Sequence, residues 1–170
     1  STDLAADGTS DQAQPKLERL MVLAADITPA FIARHPNCKA YLEASLRIRG
    51  QWATLDPEAI ERDYHDDEAL PTEGTSPACY HMKDLIVHPA TAAALLSTDT
   101  PDLAKAKREI DEAMREIDAH KDEIRLSGQD PEAIKATVRA SLATVEAIDV
   151  EAITRSALAS VKPEVMRASV

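Results

Sequence analysis

Cys79, His81, Met82 and His88 fall within ten positions of one another in SPACYHMKDLIVHPATA, and His65, Asp66 and Asp67 stand upstream in DYHDD. Thiolate and imidazole together suit zinc, copper or nickel. One reading of the stretch is therefore a small metal-binding site built from His65, Cys79, His81 and His88, with Zn, Cu or Ni as its ion. The spacing lacks the paired C-x-x-C element of structural zinc sites. The competing reading spends Cys79 differently. The chain has only two cysteines, Cys38 and Cys79, which permit a single intramolecular disulfide. Such a bridge closes a loop of about 40 residues, worth about 3–4 kcal/mol in the chain-entropy view. It also removes the best ligand, so the two readings compete. The disulfide is preferred here, with no cofactor and with the histidines tying helices together.

Other chemistry finds less support. Covalent haem attachment needs C-x-x-C-H, which is absent. A catalytic thiol needs an electropositive, partly open setting, and the surroundings of Cys79 are acidic. No G-x-S-x-G, P-loop or dinucleotide fingerprint occurs, and the four glycines form no phosphate cradle. No catalytic residue is assigned.

The formal net charge of −11 counts against nucleic acid, whose phosphates call for clustered Lys and Arg. It favours basic or neutral protein partners. No run of about 18 apolar residues is present, so no transmembrane segment is expected. The chain opens STDLAADGTSDQAQP, without an initiator Met. That opening fits a matured N-terminus from which a signal peptide has been removed, and fits a chain trimmed at this point equally well; on the first reading the expected location is periplasmic or secreted.

Helical spacing dominates the rest, and the expected fold is all-α. Residues 1–14 are small and polar and read as a flexible tail. Residues 15–97 read as a compact helical domain holding the Cys/His loop. Leu17, Leu20, Met21 and Ala24 share one helical face. Thr28-Pro29 reads as the start of a new short helix, and Asp56-Pro57 as a capped helix start. DLIVHP, bounded by Pro89, reads as an extended connection into a last short helix.

All five aromatic residues lie between positions 31 and 80. Residues 98–170 read as an amphipathic helical arm. There Leu103, Ile110, Ile117 and Ile124 recur every seven residues, with Ala106, Ala113 and His120 at the alternate seam positions. SGQDP ends that helix. Two similar segments follow, DPEAIKATVRASL and DVEAITRSALASV, which place Ile134 and Ile153 alike and suggest two helices, the second stopped by Pro163. A seam of this kind seeks another helix. Leu103, Ile110, Ile117, His120, Ile124, Ile134 and Ile153 are thus the expected partner-binding positions. The functional expectation is a non-catalytic accessory subunit that docks onto and stabilises a larger periplasmic assembly, an oxidoreductase being one candidate.

Overall fold

The computed structural model describes the backbone of residues 4–167 and the side chains of residues 12–161. Every regular element among the described residues is helical. Helix α1 is Leu4–Arg34, α2 Lys39–Ser45, α3 Ile48–Gln51, α4 Pro57–Ile60, α5 Pro77–Leu96, α6 Leu103–Ala119, α7 Lys121–Leu126 and α8 Pro131–Arg167. One π-type turn, Glu61–His65, extends α4. None of the described helices is long and apolar enough to cross a membrane.

Helix α5 is the axis of the molecule. It is buried without a break from Met82 to Leu96. That run is apolar apart from Lys83, Asp84, His88 and Thr91, and such a helix is covered by others. Here α1 and α6 flank it, and α2, α3 and α4 close the remaining face. Helix α8 lies across α1 and α6, completing a four-helix arrangement in which α5 and α8 sit on the diagonal. The core is mostly aliphatic, with Phe31 and Tyr41 as its largest fully buried side chains. Leu17, Leu20, Met21 and Ala24 all face it, as their spacing indicates.

Several local expectations are corrected. DLIVHP is helical, in the middle of α5 rather than extended. A short apolar run does not distinguish a buried strand from a buried helix turn, and Pro89 invites the wrong choice. Thr28-Pro29 does not restart a helix, because α1 runs through it. The buried Thr28 hydroxyl bonds back to the Ala24 carbonyl at 2.9 Å. Helix α1 begins at Leu4, ahead of the expected start at Pro15, and Ala13 is already fully buried. Helix α8 is continuous through Asp149 and Pro163. His120 interrupts the helix expected to run on to Leu126, and separates α6 from α7. The SGQDP break is present: Gly128 has φ +82°, a left-handed conformation open to glycine, and α8 starts at Pro131.

Candidate functional site

Cys38 and Cys79 form a disulfide, with Cα atoms 5.2 Å apart. It ties the turn before α2 to the first turn of α5. There Ser76 caps the helix, and its backbone N–H donates to Cys79 Sγ at 3.3 Å. Cys79 is therefore spent on the bridge and is no metal ligand. The alternative ligand set of His65, Cys79, His81 and His88 fails at that residue.

The π-type turn carries His65 toward α5, and a buried lysine holds it there. Lys83 has no exposed surface. Its Nζ donates to the His65 carbonyl at 2.8 Å and to Asp67 Oδ1 at 2.9 Å, and lies 3.9 Å from the Tyr80 ring centre. Tyr41 donates its hydroxyl to the same Asp67 oxygen at 2.6 Å. Asp67 needs this anchoring, because it adopts φ 65° without being glycine.

His65, Asp84 and His88 converge beside that anchor, with one ligand-type atom from each lying within 4.8 Å of the others. Asp84 and His88 stand one helical turn apart on α5, and His88 Nε2 is 3.7 Å from Asp84 Oδ2. On its other side His88 Nδ1 is 2.6 Å from Glu109 Oε2 of α6. Burial of the ring works against its protonation, but the bond to Glu109 and the charges of Asp84 and Glu109 prevail and lift His88 above the ordinary imidazole value. Burial raises the Asp84 carboxyl, against the pull of His88 and Lys83. The group opens into a cleft of about 420 Å³, rimmed by Glu61, His81, Arg108, Glu112 and Glu116.

A second line of the same chemistry continues along α6 and α7. His81 Nδ1 lies 3.6 Å from Glu116 Oε1, and His120 Nε2 lies 3.8 Å from Glu116 Oε2. Glu123 faces both His120 and His35. Burial raises the Glu116 carboxyl, with Asp84 adding to the effect. Burial lowers His120, whose ring also meets the edge of Phe31. Every one of the five histidines thus faces a carboxylate.

Of the proposed ligands, then, His65 and His88 meet, His81 sits at the rim, and Cys79 is excluded. Asp84 and Glu109 were missed. The signal for Asp84 was its i,i+4 spacing to His88, which disappears once DLIVHP is read as extended. Glu109 is one acid among 30 and comes from another helix, so no local pattern marks it.

The expected partner-binding seam is also corrected. Ile110, Ile117 and Ile124 are fully buried, Ile134 and His120 nearly so, and Leu103 packs against the core. These positions found their helical partners, α5, α1 and α8, within the chain. Ile153 alone among them is open, at 64% exposed. It sits on the distal part of α8, where residues 150–161 are all exposed and Val150, Leu158 and Val161 are open as well. The ion pair from Lys107 to Asp149, at 2.8 Å, stands at the edge of this stretch.

No protein-family model matches the chain, and neither a curated protein nor a solved structure shows significant similarity to it.

Proposed function

We propose that the protein is a non-catalytic accessory subunit that docks through the distal part of α8 onto a larger protein. One observation carries this reading. Val150, Ile153, Leu158 and Val161 are 56–64% exposed, on a helix stretch that none of the other described residues covers. A short helical stretch is marginal in water without packing against an apolar face. Among the described residues the other large aliphatic side chains are buried or half-buried, with Leu126 the further exception. The fitting occupant is an apolar groove on a larger subunit, since an amphipathic helix is read by such grooves through anchors at helical spacing. With a net charge of −11 on this chain, the groove's surroundings would be basic or neutral.

The disulfide supports an oxidising compartment, in which such bridges persist. The periplasm is the location we propose, as the place where an exported accessory subunit meets its enzyme. Sizing chromatography of native extract tests the reading. The wild-type chain is expected well above its own 18.4 kDa, and a variant carrying Ile153→Asp and Leu158→Asp near that mass. Elution of the wild type as a lone chain would overturn the proposal.

A further inference from the structure

Independently of any docking partner, we propose that His65, Asp84 and His88 bind one divalent first-row transition-metal ion, with Glu109 orienting His88. The ligand-type atoms of the three residues already lie within 4.8 Å of one another. The 3.7 Å between His88 Nε2 and Asp84 Oδ2 is too long for a hydrogen bond. It is close to the spacing of two atoms that share a metal: bonds of about 2.1 Å place neighbouring ligands about 3–3.6 Å apart.

The proton arrangement favours the ion. Glu109 is a carboxylate 2.6 Å from His88 Nδ1, so Nδ1 is the donor. In the neutral ring the lone pair of Nε2 then faces Asp84, where a bound ion takes the place of the second imidazole proton. A carboxylate holding the far nitrogen of an imidazole is the usual support of a metal-bound histidine. Asp84 is almost wholly buried, with its side chain 6% exposed, and its Oδ1 has no hydrogen-bond partner. Lys83 Nζ faces that oxygen from 3.5 Å and leaves Oδ2 directed at His88. His65 Nδ1 also makes no hydrogen bond, and lies 3.5 Å from Glu61 Oε1 and 3.6 Å from Asp66 Oδ1. The Asp84 and His88 side chains are only 6% and 7% exposed, and a cation between Oδ2 and Nε2 takes the place of the hydrogen bond those atoms do not make.

Ligand type narrows the ion. Two imidazoles and one carboxylate suit Zn, Fe, Co or Ni over Ca or Mg, and the disulfide removes the thiolate that would favour softer ions. The adjoining cleft of about 420 Å³ gives the ion an entry path and leaves room for water in the remaining coordination positions. Glu61, Glu112 and Glu116 on its rim outnumber Arg108 and draw cations in. The rival account is a dry ion cluster of Lys83, Asp84 and protonated His88, which needs no metal.

The test uses the full isolated chain, stripped with a chelator and titrated with Co²⁺ while visible absorption is followed. Absorption is expected to saturate at one ion per chain and to be displaced by Zn²⁺. His65→Gln, Asp84→Asn and His88→Gln should each abolish the saturable signal, and Glu109→Gln should weaken binding about 10–100-fold. His81→Gln and His35→Gln should bind as the wild type does. His65 is partly exposed, so H65Q keeps the test valid if D84N fails to fold. Absence of saturable binding, or stoichiometric binding that survives both H65Q and H88Q, establishes the dry cluster instead. Equal loss in H81Q would mean adventitious capture by the acidic rim, and would also overturn the proposal.

Discussion

Lys83 Nζ lies 2.9 Å from Asp67 Oδ1 with its own side chain fully buried, and this contact fixes the turn that presents His65 to α5. A buried cation is tolerated only when its donors are met, and Lys83 meets the His65 carbonyl and Asp67, with the Tyr80 ring against its ammonium group. The anchor therefore joins sequence-distant segments: the π-type turn, the loop after it and the central helix.

Replacing Lys83 by Met should destabilise the fold by about 3 kcal/mol, the lower end for breaking a buried pair, because Asp67 keeps part of its contact with water. The double variant K83M/D67N should cost less than the sum of the single changes. Urea denaturation measures all three. A loss under about 1 kcal/mol in K83M would mean that the lysine is incidental to the fold.

The inward seam and the outward stripe should respond differently to the same substitution. Ile117→Ala removes a fully buried side chain and should cost about 3 kcal/mol. Ile153→Ala alters a side chain that is 64% exposed, and in the isolated chain its effect should stay within about 0.5 kcal/mol. Similar costs at the two sites would place Ile153 in a core and remove the stripe.

Acidification should act through His120. Burial holds its pKa below the ordinary imidazole value, against the pull of Glu123. Glu116, His81 and His35 stand around the same ring. As pH falls through about 6.5, the unfolded chain takes up the proton first, so the folded state loses stability until its own lower pKa is passed. Wild type should therefore lose more stability between pH 8 and pH 5.5 than His120→Gln does. Parallel pH profiles for the two proteins would show that the ring is protonated as readily folded as unfolded.

The helical class, the inward face of α1, the capped start at Asp56 and the break at Gly128 could be read in the sequence, because each rests on local spacing or a turn residue. Asp56, for example, accepts from the Ala59 N–H at 2.7 Å. The path of α5 could not. Between Asp84 and His88 the helix offers only Leu85, Ile86 and Val87, too short an apolar run to tell a helix from a strand, and Pro89 suggests a break. The same fact hid the Asp84–His88 pair. The seam at Ile110 and Ile117 was recognised as a helix-packing surface, but periodicity does not reveal whether the facing helix belongs to the same chain. Here α5, with its long buried run, supplies it.

Amide hydrogen exchange across residues 150–161 tests the docking account most directly. In the isolated chain these amides should exchange much faster than those of α5, because none of the other described residues covers that stretch. In the native assembly they should slow at least about tenfold, as expected when a helix end gains packing. Exchange as slow as that of α5 in the isolated chain, or no slowing in the assembly, would contradict the claim that distal α8 holds another protein.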